Sequence, residues 1–217
     1  MIIPMEFNFT YESYHQAIKL YKNSNYTITN FKNYDQNKEK KILLIRHDID
    51  MDIELAKNFA EFENSIGVNS SYFFRFTAKN YNLLSIYVLN TIKAISGLGH
   101  EIGLHIDSMH LEEQRAETNV ILNVKNLLES QIGNSVESFS IHEPSRTSFS
   151  SDYKSLIDIG LKNNCYSKKF FEDIKYISDS GGRWREGHFG EWVDKVEKLQ
   201  VLTHPLWWYK ERPQENY

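Results

Sequence analysis

Residues 41–50 read KILLIRHDID, an unbroken apolar run that ends in charged side chains. A strand buried on both faces of a parallel sheet has this pattern, because helices cover the two faces of such a sheet. The segment from Asp50 to Ser65 then has the spacing of a helix. The stretch therefore predicts the first strand–helix unit of an α/β domain.

The same alternation of strand and helix continues along the chain. The further strand-like stretches are VNSSYFFRF (68–76), HEIGLHI (100–106), VESFSIH (136–142), KYISD (175–179) and KLQVLTHP (198–205). Helical spacing is predicted over 81–98, 111–131 and 153–161. Such alternation builds either an open doubly wound sheet or a closed barrel, and both place ligands at the carboxyl ends of the strands.

Length and composition indicate one soluble domain. With 217 residues, 41% of them hydrophobic, the chain can bury a core of its own. Cys165 is the only cysteine, which excludes an intrachain disulfide. A location in the reducing cytoplasm fits this best. The net charge of -4 without a basic stripe argues against nucleic acid as a partner. The sequence has neither the pattern of a secretory signal nor a long apolar run, so no membrane insertion is expected. Formation of a homodimer is left open.

Ionisable side chains close most of the predicted strands. They are His47, Asp48, Asp50, His105, His142, Asp179 and His204. Imidazoles and carboxylates brought to one rim suit a divalent metal such as zinc, which can activate a water molecule near neutral pH. Any one of these residues taken alone could be a helix cap or an ion-pair partner. Their recurrence on strand after strand favours a shared site.

The motifs RHDID, SYFF, GHEIGLH, IHEPS, ISDSGGRW and LTHPLWW resemble those of the polysaccharide deacetylases. This NodB-homology family is also called carbohydrate esterase family 4, and the likeness is closest to its divergent branch beside surface-polysaccharide synthesis. The resemblance implies a distorted (β/α)7 barrel over residues 41–217, with residues 1–40 as an N-terminal extension packed on it. It also implies a metal-dependent hydrolase that removes an N-acyl group, with acetyl preferred, from a sugar or sugar nucleotide. The implied cofactor is a divalent cation, zinc before nickel, cobalt or iron.

Matching positions to the family's motifs implies a role for four residues. Asp48 resembles the catalytic base and Asp50 the metal-binding carboxylate, and their i, i+2 spacing on an extended segment turns both toward one side of the rim. His105 matches the first metal-binding histidine. His204 matches the histidine that donates a proton to the departing amine.

Four further residues are expected to contact the substrate. Asp179 and Trp184 resemble the segment that lines one side of the family's pocket. Trp184 and Trp207 offer flat aromatic faces that suit a sugar ring, although packing in the core is the ordinary role of tryptophan. Arg183 stands near a predicted strand end, where a guanidinium would suit an anionic sugar.

The third metal ligand departs from the family pattern. The position four residues after His105 holds Met109, and His110 follows one step later. Because five residues turn a helix to about 140° from the starting direction, His110 would serve only from a loop. His142 is the preferred third ligand. Two alternatives stay open: a catalytically silent barrel that binds carbohydrate or acts as a scaffold, and a hydrolase for a cyclic amide or another small acyl compound.

Overall fold

The structure is a computed structural model that describes residues 7–38, 40–108, 111, 116–144 and 153–216. Its strands are β1 (Thr27–Thr29), β2 (Ile42–Ile49), β3 (Ser71–Arg75), β4 (Glu101–Asp107), β5 (Ser138–His142), β6 (Asn163–Asn164), β7 (Lys175–Ser178) and β8 (Lys198–Thr203). Every pairing between these strands is parallel, in the order β6-β5-β4-β3-β2-β8-β7. The short β1 lies beside the first half of β2. The parallel sheet predicted from the apolar runs is therefore confirmed.

Helices lie between the strands. The α-helices are α1 (Tyr11–Asn23), α2 (Tyr34–Asn37), α3 (Ile53–Ser65), α4 (Ile86–Gly97), α5 (Ala116–Ile132), α6 (Lys154–Asp158) and α7 (Lys168–Phe171). Short 3-10 helices follow at Phe189–Trp192, Pro205–Trp207 and Pro213–Asn216. In the described ranges no helix is both long and apolar enough to cross a membrane.

The central strand β2 separates two environments. All eight of its residues are buried. Because side chains alternate along a strand, Leu43 and Ile45 pack on one face with an aromatic cluster from α1 and α3. Arg46 and Asp48 point to the opposite face, which is the inside of the curled sheet.

Arg46 spans the opening between the two outer strands of the sheet. In the described part of the chain no pairing joins β6 to β7. The fully buried guanidinium lies 4.5 Å from the ring centre of Tyr166, just after β6, and 5.7 Å from that of Tyr176 on β7. It also donates hydrogen bonds to the Tyr166 hydroxyl and to Gln200 on β8. Side chains therefore fill the gap that main-chain pairing leaves.

A buried carboxylate, Glu63 on α3, organises the outer face of β2. It accepts hydrogen bonds from the hydroxyls of Tyr14, Ser70 and Tyr72. His47 Nε2 lies 3.1 Å from Glu63 Oε2. Burial raises the pKa of Glu63, but the charge and hydrogen bond of His47 outweigh it and lower the pKa to about 2. The ionised carboxylate thus links α1 and α3 to β2 and β3.

Glu63→Gln is expected to lower the free energy of unfolding by about 1 to 3 kcal/mol at pH 7, because a neutral amide cannot accept all the hydrogen bonds that the buried carboxylate accepts from Tyr14, Ser70 and Tyr72. The pKa of Glu63 is lower in the folded chain than the usual 4.5. Its contribution is therefore complete above about pH 4.5 and is lost as the pH falls toward 2. Urea denaturation at several pH values measures this, with Glu61→Gln, exposed on the same helix, as the control. If the difference in unfolding free energy between Glu63→Gln and the parent does not change with pH, the lowered pKa of Glu63 is contradicted.

Candidate metal centre and active site

Four predicted site residues meet at the carboxyl end of the sheet. Asp50 follows β2, His105 lies near the end of β4, His142 ends β5 and His204 follows β8. These strands are neighbours or near neighbours in the sheet. Parallel strands bring their carboxyl ends to one rim, so positions far apart in sequence become adjacent.

Three of these side chains form a compact triangle of donor atoms. Asp50 Oδ1 lies 3.2 Å from His105 Nε2 and 3.0 Å from His142 Nδ1, and the two nitrogens are 3.1 Å apart. A tetrahedral zinc ion with bonds of about 2.0 to 2.1 Å separates its ligands by roughly 3.3 Å. The triangle therefore has the dimensions of one face of such a site.

The state of Asp50 also fits a cation. Its Oδ1 is buried and has no hydrogen-bond partner of good geometry among the described residues, although the two imidazole nitrogens are close. Burial raises the pKa of Asp50. Interactions with His105 and His142 lower this pKa by more than burial raises it, so the net pKa lies well below the usual range. A buried, ionised carboxylate oxygen with two imidazole nitrogens beside it is a suitable metal ligand.

Asp48 lies beside this triangle on the inner face of β2. Its Oδ1 accepts a hydrogen bond of 3.0 Å from the Ser140 hydroxyl, and its Oδ2 lies 3.4 Å from Arg46 Nη2. Only 3% of Asp48 is exposed, yet it lines a small pocket together with Asp50 and His204. A carboxylate held in this way can accept a proton from a group that enters the pocket.

His204 faces Asp50 from the opposite side of the pocket. Its Nε2 lies 3.7 Å from Asp50 Oδ2, and its Nδ1 lies 2.6 Å from Asp179 Oδ1. Burial lowers the pKa of His204, but the carboxylate of Asp179 and then those of Asp48 and Asp50 raise it to about 9. In the protein as described, the imidazole is therefore protonated at neutral pH and can give a proton away.

The four expected substrate contacts have different positions. Trp207 lines the pocket next to His204 and Asp50. Arg183 is exposed. Its role and that of Trp207 stay predictions.

Asp179 and Trp184 are not among the residues that line the pocket beside Asp50 and His204. Asp179 is fully buried, and its oxygens accept hydrogen bonds from His204 and from Trp208 Nε1, so it lies behind His204. Trp184 packs among Phe9, His188 and Trp208 in the aromatic cluster on the outer face of β2. Their roles in substrate binding stay predictions. His110, the alternative third ligand, lies outside the described residues.

Two residues of this site, Arg46 and Ser140, were absent from the predicted set. Arg46 stands two positions before Asp48, and Ser140 stands two positions before His142. Side chains at i and i+2 on a strand share a face, so each of them points the same way as a predicted site residue. That spacing was the available signal.

No protein-family model matches the sequence, and no curated relative matches it. Solved structures do. The Streptococcus pyogenes deacetylase PplD in complex with acetate has a TM-score of 0.55 at 12% identity, covering 100% of this chain and 91% of that chain. A family 4 carbohydrate esterase from Bacillus anthracis has a TM-score of 0.52 at 13% identity, covering 88% of this chain and 77% of that chain. The fold is that of carbohydrate esterase family 4.

A third structure adds a contrast. It is a mutant, with restored enzymatic activity, of a family 4 pseudoenzyme from Bacillus anthracis, with a TM-score of 0.53 at 16% identity. The alignment covers 76% of this chain and 57% of that one, so this chain spans little more than half its length. The predicted distorted (β/α)7 barrel is confirmed by the family 4 fold, whereas activity has to be argued from the site.

Proposed function

We propose that this chain is a metal-dependent hydrolase that removes an N-acetyl group from a sugar. The observation that carries the proposal is the triangle of Asp50, His105 and His142, with Asp48 and His204 beside it, at the carboxyl end of a family 4 esterase fold. Metal ligands, a proton acceptor and a proton donor around one pocket are the groups that amide hydrolysis requires.

In this proposal Asp50, His105 and His142 hold one divalent cation, with zinc preferred. Two nitrogen ligands and one oxygen ligand with an open position suit a catalytic zinc site. When bound, the cation would lower the pKa of a water molecule and polarise the acetamide carbonyl.

Asp48 is the proposed general base. It is next to the ligand triangle but is not part of it, because its oxygens face Ser140 and Arg46. The attacking water would give its proton to the Asp48 carboxylate as the carbon–oxygen bond forms.

His204 is the proposed general acid, and Asp179 is its positioning residue. The hydrogen bond between Asp179 Oδ1 and His204 Nδ1 leaves Nε2 turned toward the pocket. His204 would donate the Nε2 proton to the leaving nitrogen as the carbon–nitrogen bond breaks, so the products are acetate and a free amine.

The finer parts of the proposal concern the substrate and its setting. The resemblance of the motifs supports a sugar or sugar nucleotide that is used in making a surface polysaccharide. Trp207 on the pocket wall would stack on the sugar ring. The cytoplasm is the proposed compartment, and the single, buried Cys165 is compatible with it.

A catalytically silent barrel that binds carbohydrate is the second candidate. It is favoured by the pseudoenzyme among the similar structures. The two candidates differ in one measurable respect, because a silent barrel would bind an acetylated sugar and release no acetate.

The proposed function predicts metal-dependent release of acetate. Purified protein with zinc would be incubated with N-acetylglucosamine oligomers, peptidoglycan fragments and nucleotide-linked N-acetyl sugars, and acetate and free amine would be measured. We expect the two products in equal amounts from one of these classes. Since a metal supplies several kcal/mol of transition-state stabilisation, a chelator should lower the rate by roughly 10²-fold or more, and added zinc should restore it. Protein that holds zinc and releases no acetate from any of them would favour the silent barrel.

A further inference from the structure

Ser140 joins a proposed metal ligand to the proposed general base. It lies on β5 and is fully buried. Its hydroxyl oxygen is 2.6 Å from His105 Nδ1 and 3.0 Å from Asp48 Oδ1. His105 Nδ1 is itself 3.8 Å from the nearer Asp48 oxygen, too far for a direct hydrogen bond. The serine therefore bridges two groups that do not bond to each other.

The number of protons fixes the direction of this bridge. A serine hydroxyl has one proton to donate, and an ionised carboxylate can only accept. Ser140 therefore donates its hydroxyl proton to Asp48 Oδ1. With that proton used, Ser140 Oγ can only accept a hydrogen bond from His105. His105 must then carry its proton on Nδ1, which leaves a lone pair on Nε2, the atom that faces Asp50 and His142.

We propose that Ser140 is a positioning residue that holds His105 in the Nδ1-protonated tautomer and so keeps Nε2 ready to bind a divalent cation. The proposal rests on the proposed function, because it assumes the cation site at Asp50, His105 and His142. A metal-bound histidine commonly donates its other N–H to a carboxylate or carbonyl that orients the ring. Here the Ser140 hydroxyl takes the position of that acceptor, and it donates its own hydrogen bond to Asp48.

Arg46 anchors the far end of the chain of hydrogen bonds. Its guanidinium is fully buried and lies 3.4 Å from Asp48 Oδ2, the oxygen that Ser140 does not contact. The positive charge stands opposite the carboxylate, so Asp48 can act as the acceptor on which the chain ends. The Ser140 hydroxyl thus contacts both the proposed ligand His105 and the proposed base Asp48.

The test compares Ser140→Ala with Ser138→Ala. Ser138 stands on the same strand and face, is equally buried, and donates its hydrogen bond to Glu101 instead of to the site. Zinc affinity would be measured by competition with a coloured chelator. Because residues that orient a metal ligand typically contribute 10- to 100-fold in metal affinity, Ser140→Ala should weaken zinc binding by about that factor. Ser138→Ala should bind zinc as the parent does.

A spectroscopic measurement separates tautomer control from a general loss of stability. In ¹⁵N-labelled, zinc-loaded parent protein we expect a slowly exchanging His105 Nδ1–H signal with a cross-peak to the Ser140 β-protons. Ser140→Ala should lose the protected signal, and Ser138→Ala should keep it.

The outcomes distinguish this inference from the proposed function. A parent protein that binds no zinc would overturn the proposed function. A parent that binds one zinc, together with a Ser140→Ala variant that keeps both the affinity and the protected Nδ1–H signal, would overturn the role of Ser140 alone.

Discussion

An Asp50→Ala variant is expected to hold no zinc after gel filtration and to release no measurable acetate. Asp50 Oδ1 lies 3.2 Å or less from both imidazole nitrogens of the triangle and supplies its only negative charge. Without it, two neutral imidazoles remain, and such a pair binds a divalent cation weakly. Zinc per chain, measured by atomic absorption, should fall from about one to near zero, with a loss in rate of roughly 10³-fold or more.

Asp52→Ala is the matched control for this measurement. Asp52 is an exposed carboxylate two residues away, and it caps α3 by accepting hydrogen bonds from the backbone N–H groups of Glu54 and Leu55. Its removal should cost about 1 kcal/mol of stability and no zinc. His142→Ala should lose zinc as Asp50→Ala does. Full zinc content in Asp50→Ala would show that the zinc binds elsewhere.

Asp48→Asn should lower kcat by about 10² to 10⁴-fold and leave the zinc content unchanged. The amide oxygen of asparagine can still accept the hydrogen bond from Ser140, so the geometry next to His105 is preserved. The amide cannot take a proton from water, which removes the base. Single-turnover acetate release and zinc analysis on the same sample measure the two quantities.

In the Asp48→Asn variant the buried guanidinium of Arg46 loses its charged partner, and the effect of this on stability needs a separate control. Arg46 and Asp48 are both buried, and removing one partner of a buried pair can cost about 3 to 5 kcal/mol. The double variant Arg46→Met, Asp48→Asn removes the unpaired charge, and its thermal midpoint should lie above that of Asp48→Asn. If either variant stays folded and turns over at the parent rate, Asp48 is not the base.

The elements that were predictable from the sequence are those with a strong local pattern. β2 is a continuous apolar run and β4 and β8 are mainly apolar stretches, each ending near ionisable residues, so each was found within a few residues of its bounds. β1 and β6 span three and two residues, too few to show a period. Helix α4 begins at Ile86 instead of near Tyr81, because Ser85 caps it and Leu84 stays exposed.

The sequence predicted which site residues lie near one another where their positions follow from the ends of the strands. The ends of β2, β4 and β5 had to share a rim, which brings Asp50, His105 and His142 together. Their role as metal ligands stays a prediction. The direction in which a side chain leaves the rim depends on packing between distant segments. For that reason the burial of Asp179 behind His204, and the packing of the half-buried Trp184 against the aromatic cluster, had no signal in the sequence.

The filling of the sheet's opening by Arg46 has a consequence for the strength of charge interactions. The fully buried guanidinium lies over the buried ring of Tyr166 and near the partly exposed ring of Tyr176, so these side chains close the sheet next to Asp48. Water shields charges strongly, whereas a medium of low polarisability lets them act over several ångströms. Such a closure would shield the proposed site from solvent on this side, so proton transfers there would respond to protein charges more than to the ionic strength of the surroundings.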